Sequence, residues 1–476
     1  MMQKIFHIDL NFMMLRKELF RPLLKRIADF GYNAVLWEVE DKIQWETCPE
    51  CVRPDAFSKQ EFSELLAYSR SLGLEPIPLL QTLGHAEYVL NNEEYASMRE
   101  NGESRCCYCI SRPAVLNLLQ NWIQEYLDLF GDIHDFHFGG DEAWQFGQCP
   151  ECAGKIEEMG KLGFAMTHYA ALSDRLIRAG IRPNMWGDLM LQHPDELPKH
   201  LPLLKHFRIW DWQYTTNWDS PFDTTEKLSS AGLDVVLCSS IRCWDDKIWI
   251  PGAFHLDNTA ATAAQAVRRG FSGYCVTSWM IRLISFDLQW FLMAAAPLSE
   301  HASDAEKRLA AYRTAAGFDS TEDADAFLKA VKLAAADFPL STVHELGVGV
   351  INGKDHTVPP HGWFANRIIK RHYDGAIPVT KFAEAEQKLN EAQSLFERLA
   401  EKYPERIRPW LESLALEKDQ LTLTKMIAAR DPRGGAFLRE LREKARKRFR
   451  TYFTETSADD AVRLLYAAVE DFFADL

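Results

Sequence analysis

Phe136-His137-Phe138-Gly139-Gly140-Asp141-Glu142-Ala143-Trp144 reads as a short aromatic strand running into two glycines and then two adjacent carboxylates. From Ile133 to Phe138 the residues alternate, with aromatics that suit a pleated surface. Gly139 and Gly140 let the backbone turn or approach another group closely. An Asp-Glu pair in such an apolar setting is costly to bury unless its charges are satisfied or its pKa values are separated. Separated carboxylates make an acid and a base. A bare Asp-Glu pair also reads as a solvated loop or a helix N-cap, so the surrounding chain decides its meaning.

Outward from this stretch the same pattern recurs: a short apolar strand ending in polar or aromatic residues, followed by a helical segment. Strands are predicted at Lys4–Leu10, Ala34–Trp37, Leu74–Leu80, Ile133–Phe138, Arg182–Met185, His206–Ile209, Leu233–Leu237 and Gly273–Thr277. Helical spacing is predicted at Lys17–Phe30, Lys59–Leu72, Ala114–Phe130, Lys161–Ala179 and Thr259–Arg269. The strand ends collect Asn11, the acids Glu38, Glu40 and Asp41, then Gln81 and His85. Further on come Asp141, Glu142, Trp186, Asp188, Trp210, Trp212, Trp244 and Trp279. Eight strands in about 300 residues, mostly alternating with helices, predict an α/β fold, a (β/α)8 TIM barrel over residues 1–300. In such barrels the site lies at the C-terminal ends of the strands. A doubly wound sheet is the alternative, but no Gly-rich dinucleotide fingerprint follows the first strand.

After Glu300 the composition turns to Ala, Glu, Leu and Lys, predicting an α-helical C-terminal domain over 301–476. Its helices are expected at Ser303–Ala316, Thr321–Asp337, Thr380–Glu401, Arg406–Arg430, Leu438–Tyr452 and Ala458–Ala474, with an irregular connection at Val343–Trp363. The basic run from Arg439 to Arg450 reads as a solvated face or a binding patch. A formal charge of −14 on 476 residues argues against nucleic acid and an anionic membrane as partners. The start of the chain carries no signal-like apolar region and no run is long enough to span a bilayer, so a cytoplasmic protein with reduced thiols is expected. The oligomeric state is open, with a homodimer as the candidate assembly.

The motifs together resemble glycoside hydrolase family 20, the β-N-acetylhexosaminidases, and within it the hexosaminidase D branch. The resemblance rests on His137-Phe138-Gly139-Gly140-Asp141-Glu142, on Leu36-Trp37-Glu38-Val39-Glu40-Asp41, and on Pro78 to Glu87 with its Gly84-His85. Trp210-Asp211-Trp212 and Thr277-Ser278-Trp279 complete it, in the family's order. It implies exo-acting release of terminal β-linked GlcNAc or GalNAc by substrate-assisted retaining hydrolysis, with no cofactor required for catalysis. By the same resemblance Glu142 would be the general acid and base, and Asp141 would hold the acetamido N–H and stabilise the charge that develops there. Trp186, Trp210 and Trp279 would wall the acetamido group and the ring, with Tyr214 donating to its oxygen and His85 orienting Asp141 or touching substrate. Glu38, Glu40 and Asp41 are candidates for the sugar hydroxyls. Each of these aromatics also reads as core or rim, and the three acids as a salt-bridge cluster. Two positions depart from the family pattern: Asn11, with Arg16 further on, stands near the first strand in place of an Arg, and Ile281, followed by Arg282, stands in place of a Glu after Trp279.

The cysteines form a separate pattern. Cys48-Pro49-Glu50-Cys51 and Cys149-Pro150-Glu151-Cys152 are two C-x2-C knuckles, with Cys106, Cys107 and Cys109 between them. Four thiolates from Cys48, Cys51, Cys149 and Cys152 suit a closed, structural tetrahedral zinc; ordinary reduced thiols are the equal alternative, with a redox pair ranked below them and a disulfide framework last. Two further function classes therefore stand beside the hydrolase: a non-catalytic amino-sugar-binding barrel, and a zinc-bearing hydrolase or interaction protein.

Overall fold

The computed structural model describes residues 2–11, 13–102, 105–220, 222–243, 247–279, 286–342, 380–474 and 476. Trp244, Ile281, Arg282 and the expected connection from Val343 to Trp363 lie outside these described residues. Eight strands close into a barrel in sequence order. They are β1 (Gln3–Asp9), β2 (Ala34–Glu38), β3 (Glu75–Leu79), β4 (Asp135–His137), β5 (Arg182–Trp186), β6 (Arg208–Trp212), β7 (Asp234–Arg242) and β8 (Gly273–Ser278). Their register is parallel, placing Asp9 beside Glu38, Leu79 beside His137, and Trp186 beside Trp210. The chain thus forms the (β/α)8 barrel that its alternating elements predict.

Period-two alternation decides what each strand sends inward. On β4, Phe136 and Phe138 face the helical shell: Phe136 meets Tyr126 of helix Pro113–Phe130 at 5.9 Å, and Phe138 meets Tyr169 of helix Lys161–Arg178 at 6.3 Å. Asp135 and His137 take the opposite face. Asp135 accepts from Gln3 at 3.1 Å and Asn184 at 3.0 Å, and pairs with Arg208 at 3.3 Å. One layer up, His137 packs against Trp186 at 4.7 Å and Trp210 at 4.8 Å. The barrel interior therefore carries a connected polar and aromatic belt.

β4 is shorter than the predicted Ile133–Phe138; past its end the Gly139 N–H turns back onto His137 Nδ1 at 3.0 Å, while the Gly139 carbonyl still accepts from the Trp186 N–H at 3.0 Å. Gly140 has φ +96°, and a Cβ there would run into the Tyr169 hydroxyl. We expect Gly140→Ala to cost about 1–3 kcal/mol from the backbone alone. Urea unfolding would read this, and an unchanged midpoint would count against the close approach.

The described residues divide into two compact units. The first comprises Met1–Asn11, Lys17–Ser239 and Gln265–Thr277; the second comprises Phe12–Arg16, Ser240–Ala264 and Ser278–Leu476. The boundary expected at residue 300 lies within the Ser278–Leu476 segment of the second unit. Helix Trp290–Ser299 belongs with the second unit because Trp290 and Phe291 join its aromatic core, where Phe327 and Trp410 lie 5.1 Å apart and Trp290 sits 5.5 Å from Phe327. Helices Ala305–Ala316, Thr321–Ala334, Thr380–Lys402, Pro404–Ala428, Gly434–Phe449 and Glu455–Ala474 build the rest. Inside this unit the basic run is neutralised by acids of its own: Lys444 pairs with Asp419 at 2.7 Å, Arg446 with Asp459 at 2.9 Å and Arg448 with Glu412 at 2.8 Å.

Candidate active site

The loops after β3 and β4 meet at the C-terminal mouth of the barrel. Thr82 donates to the Phe138 carbonyl at 2.7 Å, and Gly84 lies so close that a Cβ there would be 2.6 Å from the Asp141 carbonyl oxygen. Two side-chain-bearing residues in these loops adopt the left-handed region, His85 at φ +52° and Glu142 at φ +46°. Such conformations cost about 1–3 kcal/mol and persist where surrounding structure over-determines them. Here they turn three titratable groups toward one point.

His85 Nε2 lies 3.4 Å from Asp141 Oδ2 and 3.5 Å from Glu142 Oε2. Burial works to lower the His85 pKa. The charge of Asp141, hydrogen bonds with both carboxylates and the charge of Glu87 outweigh it, holding the imidazole well above its ordinary value. An imidazolium there screens two adjacent carboxylates from each other. The Asp141 side chain is 10% exposed and that of Glu142 31%, so the second carboxyl is the one open to an incoming molecule. Asp141 Oδ1 is buried with no hydrogen-bond partner among the described residues.

Asp188, one residue past the Trp186-Gly187 end of β5, completes this corner. Its Oδ1 accepts from Trp212 Nε1 at 2.7 Å, and its Oδ2 from the Glu142 N–H at 3.4 Å. Burial, reinforced by the charge of Asp141, pushes its carboxyl up to about 7 against the two hydrogen bonds it accepts. Since the folded value lies above the unfolded one, the stability this group contributes is full below about pH 4 and is lost as pH rises through about 7. Asp188→Asn should flatten the decline of melting temperature over that interval. A variant that keeps the wild-type slope would place the titration elsewhere.

The aromatics fall into two tiers. Trp210 and Trp186 are fully buried, and Trp210 donates its indole N–H to Asn184 Oδ1 at 2.7 Å, deep in the barrel beside His137. Trp212, the next inward residue on β6, stands at the strand end with Tyr214 5.3 Å away in a tilted stack. Asp211, between the two Trp residues, faces outward and accepts from Thr224 at 2.9 Å. Trp279 follows β8 by one residue, is partly exposed, and belongs to the second unit.

The acids on the β2 side are buried and engaged. Glu38 takes His7 at 3.0 Å on one oxygen and Gln81 at 2.8 Å on the other. Asp41 pairs with the neighbouring Lys42. Glu40 accepts from Asn11 at 3.2 Å, and burial with the charges of Glu38, Asp41 and Asp9 holds its carboxyl well above the ordinary range. Arg16 reaches the Arg450 carbonyl inside the second unit.

The expected four-thiolate set is not the one the fold assembles. Cys48 and Cys51 are bonded to each other, so neither sulfur is available as a thiolate. Cys149 and Cys152 instead converge with Cys109 and Glu100, whose ligand-type atoms all lie within 4.8 Å of one another and all of which are buried. Cys109 was visible in the sequence as one of three cysteines between the knuckles; Glu100 carried no signal.

Residues 37–249 match the model for "Glycosyl hydrolase family 20, catalytic domain". Among curated proteins the chain is similar to hexosaminidase D of Homo sapiens, 25% identical over 258 residues that cover 53% of this chain and 51% of that protein. It is also similar to hexosaminidase D of Bos taurus, 29% identical over 199 residues covering 40% and 56%. The chain thus spans just over half the length of these curated relatives. Among solved structures, a chitobiase of Flavobacterium johnsoniae aligns over 97% of this chain and 78% of its own, with a TM-score of 0.54 at 14% identity. A β-N-acetylhexosaminidase of Bacteroides fragilis aligns over 64% and 68%, at a TM-score of 0.50 and 17% identity. These two likenesses bear on the fold alone.

Proposed function

We propose that this protein, whose residues 37–249 match the model for the glycosyl hydrolase family 20 catalytic domain, is an exo-acting β-N-acetylhexosaminidase releasing terminal β-linked GlcNAc or GalNAc with retention. The observation that carries the reading is the adjacency of Asp141 and Glu142 on one side of the barrel mouth, bridged by His85. Two carboxylates on neighbouring residues do not flank a sugar from opposite faces, so this pair is not the usual acid and nucleophile. The substrate's 2-acetamido oxygen takes that place, as in the substrate-assisted exceptions to the two-carboxylate scheme.

In this mechanism Glu142, the more open carboxyl, protonates the glycosidic oxygen as the acetamido oxygen attacks the anomeric carbon. It then removes a proton from the water that opens the oxazoline-type intermediate. Asp141 accepts the acetamido N–H through its unpartnered Oδ1, and its charge balances the positive charge forming on that group. His85 keeps both carboxylates oriented. Trp212 and Tyr214 are better placed at the mouth than Trp210 to wall the acetamido group, with Tyr214 donating to its oxygen. No cofactor enters these steps. A cytoplasmic location belongs to the same reading; eight free cysteines among the described residues support it, and the Cys48–Cys51 bond counts against it. Among the described residues no helix is long and apolar enough to cross a membrane.

The test is hydrolysis of aryl β-GlcNAc and β-GalNAc side by side, with and without a thiazoline mimic of the oxazoline. We expect turnover of at least one sugar, blocked by the mimic; turnover that ignores the mimic would overturn the internal nucleophile. Folded protein inert on both sugars would instead favour a binding role.

A further inference from the structure

We propose that Glu100, Cys109, Cys149 and Cys152 form a structural zinc site that fastens the loop after β3 to the loop carrying Asp141 and Glu142. The Sγ of Cys109 lies 3.5 Å from that of Cys149 and 3.6 Å from that of Cys152, and Cys152 Sγ lies 3.3 Å from Glu100 Oε2. Zinc–sulfur bonds of about 2.3 Å at tetrahedral angles put sulfurs about 3.8 Å apart, and a sulfur and an oxygen about 3.5 Å apart. The three observed separations are slightly shorter than the edges of such a site, and all four donor atoms lie within 4.8 Å of one another.

The surrounding atoms are arranged as a ligand set requires. Glu100 Oε1 accepts the backbone N–H groups of Gly147 and Cys149, both at 3.0 Å, which leaves Oε2 as a single, oriented donor. Cys149 caps helix Pro150–Met159, and its sulfur accepts the Cys152 N–H at 3.3 Å. Ser111 adds a contact to Cys152 Sγ at 3.2 Å. The other two ligands come from a hairpin-like turn in which the Glu100 N–H donates to Cys107 at 3.0 Å and the Cys109 N–H to Met98 at 2.8 Å.

Thiolate-rich, four-coordinate donors select zinc over the oxygen-seeking divalent cations, and four protein ligands leave no open position for chemistry. The ion's role is mechanical. It closes the seven-residue path from Glu142 to Cys149 onto a buried anchor.

The experiment is elemental analysis of the full-length protein purified without chelator from zinc-supplemented cells, together with cobalt substitution. We expect about one zinc per chain and, with cobalt, the sulfur-to-metal charge-transfer and tetrahedral ligand-field bands of a thiolate site. Cys109→Ser and Cys152→Ser should lose the ion. Cys106→Ser, three residues from a ligand, should keep it, and Glu100→Cys should keep it as a four-sulfur site. Folded wild-type protein without zinc and without a cobalt–thiolate spectrum would overturn the proposal, as would a folded Cys109→Ser that retains full metal content. If the serine variants do not fold, the wild-type cobalt spectrum and zinc release on mercurial titration of its thiols decide the matter alone.

Discussion

Glu142→Gln should lower turnover of glycosides with poor leaving groups by about 10²–10⁴-fold, the usual weight of one general acid and base. The loss should depend on the leaving group. An alkoxide needs the proton that Glu142 supplies, whereas a nitrophenolate leaves almost unaided, so the first step recovers on an activated aryl substrate. The second step still lacks its base and becomes limiting, which shows as a burst followed by slow release. The carboxamide fills the same space and keeps a polar neighbour for His85, so thermal stability should change little. Uniform activity of the variant across leaving groups, at wild-type rates, would remove Glu142 from its role.

The second large effect is expected at Asp141. Its Oδ1 is a buried acceptor with no partner among the described residues, and its Oδ2 faces His85 at 3.4 Å. Asp141→Asn preserves shape but removes the charge that would balance the oxazolinium-like group. A fall of about 10²–10³-fold in turnover follows from losing one such electrostatic partner. The thiazoline mimic should lose affinity in parallel, because it carries the same developing charge. A variant that turns over slowly yet binds the mimic as tightly as wild type would assign the loss to geometry and not to charge.

The fold was legible because a barrel repeats one pattern eight times, so an error at one strand end is corrected by its neighbours. The site was legible in part. Asp141, Glu142 and His85 stand together as the motifs suggest, since all three lie where strands end in glycine-bearing turns. The phase of β6 was harder. Trp210 and Trp212 lie two apart and share a face, but nothing in Trp-Asp-Trp says which of them reaches the mouth; the strand's start at Arg208 places Trp210 one layer down. Asp188 was visible at a strand end, yet its link to Glu142 depends on a backbone contact that sequence spacing does not encode. The cysteine cluster shows the same limit. C-x2-C advertises two ligands, while Cys109 and Glu100 arrive by a turn whose partners are 40 or more residues distant.

The belt of Gln3, Asp135, Asn184 and Arg208 at the floor of the barrel constrains how this chain can be redesigned or can drift. Its members hold one another, with Trp210 on Asn184 and Asp234 on Arg208 as outer partners, so replacing one leaves a charge or amide short of its partners. Changes there must come as sets, as must those in the β3 and β4 loops, which pack on each other at Gly84 and Asp141. A library built on this scaffold should therefore inherit the floor whole and vary the rim away from those two loops.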